Sequence, residues 1–263
     1  MIRVTNVSVG IAGNRILHDV SVSVSRGETL AVLGESGVGK TTLLHALAGL
    51  RCVEHGTILI DGMPAADFAR GGRLGYLFQR AVLSDWLTVE QNVNLPLRVG
   101  AAAGRADRVV EGRQVEHALD LAHISHAAHK YPRELSGGMR ARAALAAALV
   151  RDPDLLLLDE PFSALDDIIR ERVIVEVAPV LAAATSVLVT HSLQEALLLA
   201  SRVVLLAGTP SGATIVAESR LQESRPRGSE YLDSTEAIET VRRFRALFRE
   251  HASEWRKGNG SGT

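Results

Sequence analysis

The sequence predicts an α/β fold: a mostly parallel sheet covered by helices on both faces, with a glycine-rich loop at one of its edges. Three observations carry this expectation. Short apolar runs, "TLAVLG" (29–34), "LLLLD" (155–159), "SVLVT" (186–190) and "RVVLLAG" (202–208), alternate with helical patterns, as strands buried on both faces must. The first run opens directly into "GESGVGKTT", and "TTLLHALAGL" continues that loop as a helix stopping near Gly49, so strand, glycine loop and helix arrive in the order a phosphate site requires. Residues 2–9 and 20–24 ("VSVSV") alternate between apolar and polar, reading as half-buried strands.

The remaining elements follow in order. "RGE" (26–28) is a turn, and "GTILIDG" (56–62) and "RLGYLF" (73–78) supply two more short strands. From about 80 to 150 the character is helical: "TVEQNVNLPLRV", "ADRVVEGRQVEHALDLAHI" and an alanine-rich stretch opened by Ser136. That block reads as a helical subdomain inserted in the α/β domain. Helices near 164–182 and 192–200 alternate with the later strands, so the main domain spans 1–220. A C-terminal helical extension covers 221–263: the amphipathic "IETVRRFRALF", in a helix near 233–250, suits packing onto the main domain, and "GNGSGT" reads as a loose tail.

Composition bounds the partners. The chain has 263 residues, with 29 Lys plus Arg against 30 Asp plus Glu, and the basic residues are scattered. No broad field therefore points to nucleic acid or an anionic membrane surface. The only cysteine, Cys52, excludes an intrachain disulfide framework and a multi-cysteine metal site, fits a reducing compartment, and reads as a small apolar filler. "MIRVTNVSVG" lacks a signal-peptide pattern, and no apolar run approaches the roughly 18 residues of a membrane span. Any membrane role is expected to go through a partner.

The motifs specify chemistry. In Gly34, Glu35, Ser36, Gly37, Val38, Gly39, Lys40 and Thr41, the backbone N–H groups of Gly37, Val38 and Gly39 can converge on a β-phosphate at a helix N-terminus. Lys40 would reach the β- and γ-phosphates, Thr41 would hold Mg²⁺, and Thr42 could contact the α-phosphate side. "LLLLDE" carries Asp159 and Glu160 to the end of a buried strand; Asp159 can hold the metal's water shell, and Glu160 can orient or deprotonate water. Two adjacent carboxylates there would be costly without a metal or a basic partner. Gln79 follows one strand and His191 another. Either alone is commonly just a loop polar residue, but parallel strands end on the same side, which delivers Lys40, Gln79, Asp159 and His191 to one crevice. The expected reaction is Mg²⁺-dependent attack of water on the γ-phosphate of a nucleoside triphosphate, with Glu160, His191 and Gln79 as catalytic candidates and Thr41, Gln79 and Asp159 at the metal. A second glycine pair, in "LSGGM" (135–139), precedes the alanine-rich helix without any lysine. It reads either as an N-cap by Ser136 or as another phosphate contact.

Taken together, "GESGVGKTT", Gln79, "LSGGM", "LLLLDEP", "SALD" and His191 resemble, in order and over roughly residues 2–210, the nucleotide-binding subunits of ATP-binding-cassette (ABC) transporters. The resemblance implies a P-loop NTPase fold with an N-terminal antiparallel β subdomain. It implies that Ser136, Gly137 and Gly138 bind the γ-phosphate of ATP held by a second cassette in a head-to-tail dimer, and that Asp166 of "SALD" links the two sites. A finer similarity, to importer subunits of the nitrate, sulfonate and taurine group, lies in "QRAVLSDWLTVEQNV", "DEPFSALDDIIRER", "AGTPSGATIVAE" and "ESRPRG".

What that similarity implies is an ATPase powering import of a small solute from the cytoplasmic face of the cell membrane. Its partners would be a second copy or homologous cassette, a multi-span permease and an extracytoplasmic solute-binding protein. Trp86 and Leu87 become permease-docking candidates, although a tryptophan there also suits a core anchor. The chain departs from the family at Ile11, where a ring usually stacks on adenine, at Asp85 and Ala147, which replace a proline and an arginine, and in a slightly short segment before His191 interrupted by Pro179. A lipid-trafficking or export complex remains an alternative within the family. A soluble ABC-type ATPase acting on nucleic acid would be expected to carry two cassettes, coiled coils or zinc modules, and a GTPase an "NKxD" element; the chain has none of these.

Overall fold

The computed structural model describes residues 1–99 and 108–259. Ten strands form one sheet: β1 (Ile2–Ile11), β2 (Asn14–Val24), β3 (Thr29–Leu33), β4 (His55–Ile60), β5 (Met63–Pro64), β6 (Leu74–Leu77), β7 (Leu155–Asp159), β8 (Ser186–Thr190), β9 (Arg202–Thr209) and β10 (Gly212–Arg220). Their order is β5-β4-β1-β2-β10-β9-β3-β8-β7-β6. Strands β9, β3, β8, β7 and β6 run parallel, while β5, β4, β1 and β2 pair antiparallel. The hairpin strand β10 joins the two regions: it is antiparallel to β9 and touches β2 through the parallel pair Ala213–Leu17.

Side-chain alternation explains why the parallel strands read as unbroken apolar runs. In β3, Leu30 and Val32 enter one core and Ala31 and Leu33 another; β9 divides likewise, Val204 and Leu206 against Val203 and Leu205. One face is covered by α1 (Lys40–Leu47) and the antiparallel strands. The other is covered by α6 (Asp167–Ala183), α7 (Leu193–Leu199) and α8 (Thr235–Asn259). The short α2 (Ala65–Arg70) adds Phe68, fully buried, to the first core.

Helices α3 (Val89–Arg98), α4 (Arg108–Leu121) and α5 (Gly137–Leu149) pack on one another around Val89, Val93, Val115, Leu119 and Ile124. They form the helical block expected over 80–150, and α5 also packs against β6 and α6. Thr88 opens α3 with a capping box, its hydroxyl accepting from Gln91 N–H while the Gln91 side chain accepts from Thr88 N–H, so both N-terminal donors are met.

The C-terminal extension is bound to the main domain by two arginines. Arg227, 3% exposed, donates to the carbonyls of Leu197 and Ala200 at 2.8 and 2.7 Å and lies 4.7 Å over the Tyr231 ring. Arg225 donates to Gly27 O at 2.8 Å and to the Thr29 hydroxyl. A cation at the C-terminal carbonyls of α7 complements the helix dipole. Helix α8 then lays Ala237 and Phe244, both fully buried, onto the β9 side of the sheet.

Several expectations change. Strand β10, which the sequence reading left unassigned, completes the hairpin with β9. Cys52 is exposed rather than a filler, because the chain leaves α1 in a surface turn. Pro179 lies within α6 without ending it; the backbone carbonyl it leaves unpaired belongs to Val175, on an exposed face, where water can take it. Helix α8 continues through Gly258 and Asn259, and the rest of the expected tail, 260–263, lies outside the described residues. Among the described residues no helix is long and apolar enough to cross a membrane. Replacing Phe244 with Ala removes the main anchor of α8, so chemical denaturation of Phe244→Ala is expected to show a loss of about 3 kcal/mol; an unchanged midpoint would mean that α8 adds nothing to the core.

Candidate nucleotide site

Strands β3, β8, β7 and β6 are parallel neighbours, so the residues following Leu33, Thr190, Leu158 and Leu77 emerge at one edge of the sheet. Topology alone thus gathers Gly34–Thr42, His191, Asp159–Glu160 and Gln79.

The phosphate loop depends on its glycines. Gly37 (φ 81°) and Gly39 (φ 114°), the residue before α1, occupy left-handed backbone. A Cβ on Gly34 would lie 2.7 Å from Leu206 O, and one on Gly39 would lie 3.0 Å from Ile16 Cγ2, so side chains are excluded on steric grounds. Glu35 and Ser36 are exposed, and Thr42 is half-buried in the first turn of α1. Val38 N–H is shared with the loop's own turn, donating to Glu35 O at 3.3 Å.

Lys40 is 4% exposed. Its Nζ donates to the carbonyls of Gly34 and Glu35 at 3.0 Å each and lies 3.2 Å from Glu160 Oε1. The loop thereby folds around its own lysine. Thr41 Oγ1 donates to Asp159 Oδ1 at 3.0 Å, and the Tyr76 hydroxyl approaches Oδ2 at 3.4 Å. Burial pushes the Asp159 carboxyl above its usual range, against the Thr41 hydrogen bond, which lowers it. Burial also raises the Tyr76 phenol.

Glu160 gathers the remaining groups. Its Oε2 lies 3.4 Å from Gln79 Nε2 and 3.2 Å from His191 Nδ1, while Oε1 faces Lys40. The backbone here is left-handed at a non-glycine residue (φ 42°). That conformation is held by Glu160 N–H on Val189 O at 2.9 Å and by the Ser163 hydroxyl and N–H on Glu160 O at 2.8 and 3.1 Å. Strain of this kind persists only where the surroundings over-determine it.

Ser136, Gly137 and Gly138 lie elsewhere. Ser136 Oγ accepts from Met139 N–H at 3.3 Å as the N-cap of α5. Gly138 is buried, and a Cβ there would sit 2.9 Å from Ile169 Cγ2; one on Gly137 would lie 3.3 Å from Leu165 Cδ2. Asp166 caps α6, accepting from Ile169 N–H at 3.1 Å. The two caps are therefore neighbours, with Ser136, Gly137 and Asp166 exposed. Among the described residues, no hydrogen bond or ion pair connects them to Lys40, Glu160 or His191.

Three residues of this region were not singled out from sequence: Tyr76, Arg170 and Glu195. Tyr76 is hidden inside an apolar strand. Glu195 carries a visible signal, the S-x-x-E of "HSLQEA", a capping box pattern of which only the N-cap half forms, Glu195 N–H on Ser192 Oγ at 3.3 Å, the Glu195 side chain turning to Thr190 instead.

Comparisons with known proteins place the chain in a family. Residues 17–163 match the family model described as "ABC transporter". The taurine import ATP-binding protein TauB of Pseudomonas aeruginosa is 43% identical over 198 residues, covering 74% of this chain and 73% of that protein. An aliphatic sulfonates import ATP-binding protein of Burkholderia cenocepacia is 40% identical over 214 residues, covering 81% and 75%. Among solved structures, a dimeric ATP-binding cassette in a post-hydrolysis state bound to ADP and Pi superposes with a TM-score of 0.71 at 27% identity, covering 85% of this chain and all of that one. A family-model match over residues 17–163, a shared fold and identities of 40 and 43% lead to one conclusion: the chain belongs to the ABC transporter family, as one of its ATP-hydrolysing cassettes.

Proposed function

We propose that this cassette powers import of a small solute of the taurine, sulfonate or nitrate kind, working as a head-to-tail dimer on the inner face of the cell membrane beneath a multi-span permease, with an extracytoplasmic solute-binding protein supplying the solute. The observation that carries the catalytic part is the arrangement around Glu160: one carboxylate within 3.4 Å of Lys40, Gln79 and His191 together. A γ-phosphate entering the phosphate loop competes with Glu160 for Lys40. The freed carboxylate is then the base that accepts a proton from the attacking water, while His191 and Gln79 hold that water and the transferring oxygens in line. His191 and Gln79 are exposed, so ATP and water reach them directly.

A metal fits beside this base. Asp159 is a 4%-exposed carboxylate whose charge is disfavoured by burial, and a neighbouring dication would relieve that cost. The Thr41 hydroxyl, the Asp159 carboxylate and the Gln79 amide oxygen are hard oxygen donors of the type Mg²⁺ prefers. Held by these three residues, Mg²⁺ would supply charge neutralisation to a bound triphosphate.

The exposed caps at Ser136–Gly137 and Asp166 support a two-chain site, with Gly138 buried behind them: a hydroxyl, bare backbone and a helix N-terminus are presented outward, where a second cassette's ATP would meet them. At the adenine end, Ile11 at the β1–β2 tip is 37% exposed and Ile16 abuts Gly39, offering the base aliphatic edges in place of a ring. Trp86 is 78% exposed, which supports docking over a core anchor, and Leu87 beside it is half-buried. Nearby, Phe78, Val82, Leu95, Pro96, Ala144 and Ala147 line an apolar groove between β6, α3 and α5 that suits a short permease helix.

Glu160→Gln is expected to bind ATP and accumulate dimer while turnover falls at least about 100-fold; normal phosphate release would remove Glu160 as the base. In Ser136→Arg, single-chain ATP binding should survive while ATP-dependent dimerisation and hydrolysis are lost, as read by light scattering and phosphate release. Normal hydrolysis by that variant would end the two-chain site. Trp86→Ala should no longer co-purify with the permease, and retained assembly would take Trp86 out of the docking surface.

A further inference from the structure

Near the Glu160–His191 contact lies a second pair of charged side chains that the hydrolytic chemistry does not use, a buried Glu195 and a partly exposed Arg170. Glu195, on α7, is 2% exposed. Its Oε2 accepts from Thr190 Oγ1 at 2.6 Å, and its Oε1 lies 3.8 Å from Arg170 Nε. Thr190 Oγ1 in turn accepts from Ser192 N–H at 3.0 Å, so the residues on both sides of His191 are held by one carboxylate. Arg170 holds the other limb: it donates to Phe162 O at 3.2 Å and Leu165 O at 2.7 Å, and its Nη1 meets Asp167 Oδ1 at 3.0 Å. The two carbonyls belong to the segment running from Glu160 to the "SALD" cap, and Asp167 opens α6 just after it.

A buried carboxylate with a single hydroxyl donor and a guanidinium beyond hydrogen-bonding distance is not an efficient way to stabilise a fold; a well-packed apolar residue would commonly do as well. What the pair does achieve is registration. Glu160 and His191 follow different strands, β7 and β8, and the 3.2 Å between them is set by the loops that leave those strands. Arg170 and Glu195 bring the two loops together, and burial, which pushes the Glu195 carboxyl upward, keeps water from competing at that carboxylate.

We infer that Arg170 and Glu195 are positioning residues that set the Glu160–His191 geometry and transmit the position of the Asp166 cap to it. When a second cassette presses on that cap, its displacement reaches this chain's own base through Arg170, Glu195 and Thr190, making hydrolysis conditional on closure. The inference rests on the proposed roles of Glu160 and His191.

The test measures kcat, nucleotide affinity and binding stoichiometry for Glu195→Gln, Arg170→Lys and Thr190→Val, with Glu160→Gln as control. Misplacing the base by a fraction of an ångström is expected to lower kcat by about 10- to 100-fold, with ATP affinity within twofold and full stoichiometry. The Glu195→Gln/Thr190→Val double variant should be no slower than the worse single. If Glu195→Gln fails to fold, Thr190→Val carries the test, since it removes one hydroxyl without altering charge. Wild-type kcat in the variants beside an inactive Glu160→Gln would overturn this inference alone. Stoichiometry falling in parallel with kcat would also overturn it, in favour of a purely structural role, whereas a fully active Glu160→Gln would overturn the site reading beneath it.

Discussion

The organisation of this molecule depends on where the Lys40 ammonium is kept. A lysine 4% exposed must find its donors partners close by, since an uncompensated buried cation costs several kcal/mol. Two partners are carbonyls of its own loop, obtainable only because Gly34, Gly37 and Gly39 let that loop double back. The third is a carboxylate delivered by a strand more than a hundred residues later in the chain. Meeting the needs of this one charge therefore requires the parallel sheet, its strand order and the left-handed backbone at Glu160 all at once.

The same logic explains why the site's groups appear in linked sets. Asp159 is shared by Thr41 and Tyr76, Glu160 by Lys40, Gln79 and His191, and Glu195 by Thr190 and Arg170. Each carboxylate joins two or more different elements, helices as well as strands, so a shift in any one of them is felt by several side chains. Polar connections of this kind are non-additive, and residues away from the phosphates thereby acquire influence over them.

Much of this was legible in the sequence, and the reasons differ by element. The buried parallel strands announced themselves because both faces are covered and every position is apolar. The phosphate loop, Glu160 and His191 were legible because chemistry restricts their residue types. Strand β10 was obscured, since "GATIVAESR" follows a turn and is only partly buried along one side. Tyr76 escaped because its partner, Asp159, lies 83 residues further along the chain, and Arg170 because no sequence pattern records a hydrogen bond to the backbone carbonyls of Phe162 and Leu165; at Glu195 the S-x-x-E pattern marks the start of a helix but not the side chain's bond to Thr190. Cys52 was misjudged because average burial tendencies say little about a single surface turn.

Helix α7 is only seven residues long, yet both its ends are fixed: Ser192 and Glu195 at the start, beside His191, and Arg227 at the finish. So short a rod has no slack, and its far end is a residue of the C-terminal extension. The extension is therefore not a separable module in the sense of protein engineering. A chimera joining this cassette to a foreign tail at the end of β10 would strand the carbonyls of Leu197 and Ala200, whereas a junction placed after Tyr231 would carry the cap with it and preserve the rod.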